Sequence, residues 1–372
     1  MKVLHLTASP FFGGPERVII DLVRSQASLN VESLVSTFRE DGNGLAFIGQ
    51  LKKEGIPNKL LNNDMPHLYA AYKELTQLLK DEHIDILLAH GHKARMVGWR
   101  AARKAGIPII GVSHGWTGQD WKVKIYERID KWIHRYMDKV ICVSQGQADK
   151  VIKFGTPAEK ITVIHNAIDL KRFEQQDDSY RNKLEVLFEQ PPELLIGAAG
   201  RLSPEKGFDV LIDAVAELKN GGEVLPSFGV VLFGEGFLRN ELEERVRNKN
   251  LFDIFKMPGF TDELDKYLPH FDIFAQSSHT EGFPCVNIEA MASGVALCAT
   301  AVGGVPEQII HGETGFLVPP NSPKKFAEAL KDLLLYGEKR KSMGEQSRRR
   351  AGEFTCEKQG EKYLAAEQSL LR

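Results

Sequence analysis

The stretch IDILLAHGHKARMVGWRAARKAGIPIIGVSHGW, residues 84–116, decides the fold. It opens with an apolar, strand-sized run, IDILLA (84–89), that ends at His90-Gly91. A stretch of helical period follows over about 93–105, and a second apolar run, IPIIGVS (107–113), ends at His114-Gly115. Strand, amphipathic helix and strand in immediate succession make a βαβ unit, whose two strands lie parallel in one sheet.

The same alternation extends in both directions. Upstream it predicts strands at VLHLT (3–7) and SLVST (33–37) and helices over about 15–28 and 67–81; downstream it predicts a strand at KVICVS (139–144). Between 166 and 192 the text turns polar and ends on paired prolines, which suits a linker followed by a small helix. Alternation then restarts with strands at LLIGAAG (194–200), FGVVLFG (228–234), FDIFAQS (271–277) and VALCAT (295–300), and helices over about 207–219, 237–249 and 284–293. A chain of 372 residues is too long for one core. The expectation is α/β, with two tandem Rossmann-like doubly wound domains over 1–168 and 169–353 facing across a cleft. The closing segment 354–372 is expected to form a helix. Ligands of such sheets bind beyond the carboxyl ends of the strands, so the residues that matter should follow strands directly.

Composition narrows the class. At 42% hydrophobic, 26% charged and 9% aromatic residues, the chain is an ordinary globular protein. Its apolar runs are far shorter than the roughly 20 residues of a membrane helix, and the N-terminus turns polar before any export signal forms, so a cytoplasmic location is expected. Four widely spaced cysteines fit neither a CxxC motif nor a zinc site and read as reduced thiols. The net charge of -2 conceals a split: residues 1–165 carry 23 Lys+Arg against 17 Asp+Glu, leaving 25 against 33 for the remainder. The first half is therefore the one biased toward an anionic acceptor or membrane surface.

Four places carry candidate chemistry. Gly13-Gly14 follow the first strand and lead into a helix, as a structural turn or as an anion site at the helix N-terminus. Arg201 and Lys206 lie on the loop after LLIGAAG, either merely solvated or set to bind a diphosphate. Glu281 and Glu289 flank the start of the helix after FDIFAQS; Glu289 is a ribose-binding candidate or a residue of the helix surface, and paired carboxylates also suit glycosidase chemistry. His114 and His90 end strands, where an imidazole can act by hydrogen bonding; His90, His92 and His165 are weaker candidates than His114. The chain has no D-x-D pair to bridge a metal to a diphosphate and no P-loop. GVSHG (111–115) matches G-x-S-x-G, but WTGQD follows where a nucleophile elbow needs a helix.

Taken together, these places resemble the retaining, nucleotide-sugar-dependent glycosyltransferases of family four, which have the GT-B fold. The resemblance spans nearly the whole chain. It is carried by SPFFGGPER (9–17), residues 89–116, MDKVICVSQGQ (137–147), ITVIHNAIDLKRF (161–173), GRLSPEKGFDVLIDA (200–214), LFGEGFLRNEL (232–242), SSHTEGFPCVNIEAMASGVALCAT (277–300) and GGVPEQIIHGETGFLVPPNSP (303–323). The E-x7-E spacing of Glu281 and Glu289 around EGFP is its most specific part, and GGPER stands where the family usually has GGAER. The resemblance implies that Arg201 and Lys206 bind the donor diphosphate and Glu289 the ribose. Glu281 with the backbone of Gly282, Phe283 and Pro284 would hold the sugar hydroxyls. His114 would contact the transferred sugar, Gly14 would approach the diphosphate, and Val305-Pro306-Glu307 would help frame the site. It also implies that segment 354–372 crosses back to the first domain. No cofactor or metal is expected, and a UDP-sugar is the favoured donor.

The acceptor is expected to be a carbohydrate or a lipid-linked molecule, in envelope polysaccharide or glycolipid synthesis, and no nucleic acid is expected as partner. Residues 121–139 interleave six Lys or Arg with Trp121, Tyr126, Trp132 and Tyr136. They read either as a helix lying on the inner face of the membrane or as one packing its aromatic stripe on the first domain. A GT-B-fold nucleotide-sugar epimerase is the alternative enzyme.

Overall fold

A computed structural model describes the chain except residues 9–12, 40–43, 65–66, 117–127, 129, 175–176 and 372. Its contacts divide it into two units, Met1–Ile168 with Thr355–Arg372, and Asp169–Phe354. Each is built on one sheet in which every pairing is parallel.

The first sheet has the order β3-β2-β1-β4-β5-β6-β7. Its strands are β1 (Lys2–Thr7), β2 (Glu32–Phe38), β3 (Asn58–Leu61), β4 (Ile86–His90), β5 (Ile109–Ser113), β6 (Lys139–Cys142) and β7 (Ile161–Val163). The chain builds outward from β1 on one side, then returns to add β4 on the other, so the order reverses between β1 and β4. Alternate residues of each strand serve opposite faces. Leu4, Leu6, Leu87 and Ala89 belong to one core cluster, while Val3, Leu88, Ile110 and Val112 belong to another that includes Leu22 of helix Gly14–Ser28 and Tyr363 of helix Cys356–Leu371. The closing helix is thus part of the first unit's core, and Tyr363 is fully buried. Of the apolar stripe read in the sequence, Leu364 and Leu370 are partly buried against this cluster, whereas Leu371 is exposed.

The second sheet runs β10-β9-β8-β11-β12-β13, with β8 (Leu194–Ala199), β9 (Phe228–Phe233), β10 (Phe255–Gly259), β11 (Ile273–Gln276), β12 (Ala296–Thr300) and β13 (Gly315–Val318). Its order reverses between β8 and β11. Leu211 and Val215 of helix Phe208–Asn220 and Phe326 and Leu330 of helix Pro323–Leu335 share one core with Ile196 and Val230 of the strands. In the stretch read as a linker, a 3₁₀ turn, Leu170–Phe173, precedes the small helix Ser179–Glu185.

One expectation is corrected here. Residues 121–139 do not form a single helix: its described part ends in a 3₁₀ turn at His134–Tyr136, and Lys139 begins β6. Residues 121–127, with Trp121 and Tyr126, lie outside the described residues. Tyr136 stacks on Trp99 at 4.5 Å and meets Trp132 edge-on at 4.6 Å, so these aromatics pack on one another beside helix His92–Ala105. No described helix is long and apolar enough to cross a membrane.

Candidate functional site

The reversal in each sheet leaves a crevice beyond the carboxyl ends of two adjacent strands, because the connections leave those strands in opposite directions. The candidates gather at these places. In the second unit, β8 runs through Gly200 into the loop that holds Arg201 and the 3₁₀ turn Pro204–Lys206. Gly207 then takes φ +58, and a Cβ there would lie 2.3 Å from the Ser277 carbonyl oxygen. This turn passes directly against the backbone that leaves β11, which brings Lys206 to Glu281.

Lys206 Nζ donates to Glu281 Oε1 at 2.7 Å. The same oxygen accepts from Ser278 Oγ at 2.7 Å and from Gln276 Nε2 at 3.4 Å. Thr300 Oγ1, at the end of β12, holds the Ser278 carbonyl at 2.6 Å. The His279 amide donates to the Glu205 carbonyl at 2.8 Å, which ties the two loops together. Gly303, at φ +54, closes on Glu281 so tightly that a Cβ would fall 1.8 Å from its carbonyl oxygen. The Glu281 side chain is only 9% exposed and is held through one oxygen; among the described residues, Oε2 receives no hydrogen bond.

Phe283 is buried and meets Phe354 edge-on at 5.3 Å. Pro284 caps helix Cys285–Ala292, and its carbonyl accepts from Gln308 Nε2 at 2.9 Å. Gln308 in turn accepts from Asn287 at 3.1 Å, so the loop Gly282–Pro284 is anchored from two directions. The stretch Val305-Pro306-Glu307 lies in the short helix Val305–Gln308, beside that anchor. Glu289 is not a free helix-surface residue. Its side chain is 16% exposed, and Oε1 lies 3.7 Å from Arg172, whose guanidinium also holds Asp265 at 3.1 Å. Arg201 is exposed on its loop.

In the first unit, Gly13 caps helix Gly14–Ser28, and the Glu16 side chain accepts from the Gly13 amide at 2.9 Å. Among the described residues, a Cβ on Gly14 would meet nothing within 4 Å, which leaves open space beside it. His90 ends β4 and His114 follows β5, which is paired with it. His90 Nδ1 and His114 Nε2 are 3.4 Å apart. Burial, with Arg95 nearby, lowers His114 to about 4. Arg95 is itself held by Asp130 through two bonds of 2.6 Å. Against the upward push of burial, Arg95 keeps the Asp130 carboxyl at about 2. His114 is therefore a neutral imidazole at physiological pH, suited to hydrogen bonding rather than to carrying charge.

The structure thus brings Lys206 and Glu281 into contact, couples His114 to His90, and gives Glu289 to Arg172. Sequence reading missed Ser278, Gln276, Arg172 and Asp265. The first two stand beside a strand end and were within reach of the same rule; Asp265 and Arg172 come from segments with no periodic signal. Among the described residues, no cluster of His, Cys, Asp and Glu could hold a metal ion.

Comparison with known proteins agrees with this architecture. Residues 12–172 match the model of Glycosyltransferase Family 4, and residues 180–350 match that of Glycosyl transferases group 1. An uncharacterized glycosyltransferase of Methanocaldococcus jannaschii is 28% identical over 89% of this chain and 91% of its own. The UDP-Gal:alpha-D-GlcNAc-diphosphoundecaprenol alpha-1,3-galactosyltransferase of Escherichia coli is 26% identical over 89% of this chain and 87% of its own. The crystal structure of Anabaena Alr3699/HepE in complex with UDP-glucose superposes with a TM-score of 0.87, at 25% identity and with all of both chains covered.

Proposed function

The chain belongs to the glycosyltransferases of GT-B fold, family 4 in its first unit and group 1 in its second, and from that premise we propose that it moves a sugar from a nucleoside-diphosphate sugar to an acceptor hydroxyl with retention of configuration. A UDP-sugar is the favoured donor and an envelope polysaccharide or glycolipid the favoured product. The name of the Escherichia coli protein gives a UDP-sugar donor and a diphosphoundecaprenol-linked acceptor, and the Anabaena structure holds UDP-glucose, which supports a UDP-sugar donor and a lipid-linked acceptor. The relatives are named as transferases, which does not favour the epimerase.

The contact between Lys206 and Glu281 at the reversal of the second sheet carries this reading. An ammonium has three N–H donors; one is spent on Glu281, and two remain for a diphosphate. Arg201, on the same loop, adds a guanidinium that can bind phosphate oxygens bidentately. Departure of the nucleoside diphosphate concentrates negative charge there, and cations already in place stabilise it without reorganisation. Glu281 Oε2 would accept a sugar hydroxyl, and the amides that open helix Cys285–Ala292 would face the anion. Glu289 would hold the ribose. In the first unit His114 would meet the transferred sugar, and the open space at Gly14 would admit the diphosphate. Retention is best served by attack from the face the leaving group departs, with the phosphate taking the acceptor's proton.

A thermal-shift panel of nucleotide sugars tests the proposal, since the true donor stabilises the protein by mass action. The expected result is a shift with a UDP-sugar and release of UDP on adding acceptor. Interconversion of a nucleotide sugar without acceptor would favour the epimerase instead.

A further inference from the structure

A chain of side chains buried in the first unit leads from the closing helix to His114. Glu367 Oε1 accepts from Gln26 Nε2 at 2.7 Å. Gln26 Oε1 lies 2.9 Å from His5 Nε2 and also accepts from Ser33 Oγ at 3.2 Å. His5 Nδ1 lies 3.3 Å from His90 Nε2, and His90 Nδ1 lies 3.4 Å from His114 Nε2. The three rings are nearly parallel, with interplanar angles of 16° and 23°. Glu367, Gln26 and His5 have no exposed surface, His90 has 3%, and only His114 at the end is partly open.

The register explains the line. His5 pairs with Leu88 and His90 with Val112, so His5, His90 and Val112 project from the same face of the sheet. The line steps diagonally, two residues further along each successive strand, and reaches His114 just past β5. Gln26 and Glu367 come from the two helices that cover this face.

We propose that Glu367, acting through Gln26, His5 and His90, sets the tautomer of His114 so that Nδ1 carries a lone pair and Nε2 the proton. Above the value of about 8 to which burial raises it, Glu367 is ionised and can only accept, so in that form the Gln26 amide must turn its NH₂ toward Glu367 and its oxygen toward His5. His5 then donates from Nε2 and keeps a bare Nδ1, which accepts from His90 Nε2–H. His90 repeats the pattern, and His114 donates from Nε2. Neutral rings are required throughout. Burial supplies them: it lowers His5 to about 4 although the Gln26 bond opposes it, and lowers His90 well below its ordinary value, with His5, His114 and Arg95 adding to the effect.

The inference rests on the reading of His114 as the residue that meets the transferred sugar. It deepens that reading: His114 presents an acceptor, so the matching group is a sugar O–H. Glu367, Gln26, His5 and His90 are positioning residues that touch no substrate.

Long-range ¹H–¹⁵N NMR of the full chain, with His114 assigned by loss of its signal in His114→Gln, tests this without any donor. The spectra belong at pH 9, above the value of about 8 to which burial raises Glu367. The expected result is one tautomer for His5, His90 and His114, each protonated at Nε2. Protonation of any of the three at Nδ1 would overturn the proposal. In Glu367→Gln the new amide can both donate and accept, so mixed tautomers are expected; an unchanged single tautomer would remove Glu367 from the role. The exchange Gln26→Glu with Glu367→Gln puts the acceptor carboxylate beside His5 and should restore the single form. Adding UDP-glucose afterwards should move the His114 Nδ1 resonance. If it does not, the assignment of His114 to the sugar fails while the tautomer result stands.

Discussion

Lys206 and Glu281, 75 residues apart, meet at 2.7 Å because β8 and β11 are neighbours at the one place where the second sheet reverses its order. The pair is partly buried, with side chains 24% and 9% exposed. The ammonium is thereby fixed in place, and one Glu281 oxygen is consumed while the other stays available.

Lys206→Ala or Arg201→Ala should lower kcat/KM for transfer at least about tenfold, the equivalent of roughly 1.4 kcal/mol of transition-state stabilisation. Steady-state kinetics with a UDP-sugar check it. Wild-type kcat/KM in both variants would dismiss the cationic loop as the diphosphate site.

Transfer should survive excess EDTA. On the proposed reading, Arg201 and Lys206 would neutralise the leaving group where a divalent ion otherwise does. An assay with and without chelator decides; loss of activity that Mg or Mn restores contradicts the prediction.

Stability should peak at about pH 7. Burial lowers His5, His114 and His134 from 6.5 to about 4, and His90 also falls. Between those values the unfolded chain binds protons that the native chain refuses, so stability is lost as pH falls from 6.5 toward 4. Glu367 acts in the opposite sense: raised from 4.5 to about 8, it keeps a proton when folded that the unfolded chain gives up. Its contribution therefore declines as pH rises from 4.5 to 8. Urea unfolding across pH 4–9 should show both limbs, and Glu367→Gln should flatten the alkaline one. An alkaline limb unchanged in that variant would refute the assignment.

Tyr363→Ala should destabilise the first unit by about 3–5 kcal/mol, the usual cost of truncating a large buried aromatic. Tyr363 packs among Val3, Leu88 and Ile110, so the closing helix is a structural part of that unit rather than a detachable tail. Calorimetry should find the loss in the transition that also responds to Leu22→Ala. A melting profile equal to wild type would show that the helix does not hold that core together.

How much was legible in the sequence follows from what is local. Strand and helix periods are set by neighbours along the chain, so the inner strands β1, β2, β4, β5, β6, β8, β9, β11 and β12 could be read directly, and with them the doubly wound class. Arg201, Lys206, Glu281 and His114 could be singled out because each sits just after such a strand. The strands the reading passed over, β3, β7, β10 and β13, are the four sheet edges. An edge strand is paired on one side only and stays partly exposed, so it lacks a continuous apolar run; all of β7 is only partly buried. Tertiary structure alone decided which strand ends become neighbours. Sheet order places Lys206 on Glu281 and steps the line from His5 through His90 to His114. The return of the chain after residue 354 sets Glu367 on Gln26, 341 residues away in sequence. Such pairings come from surfaces buried against each other at long range, and no local period encodes them.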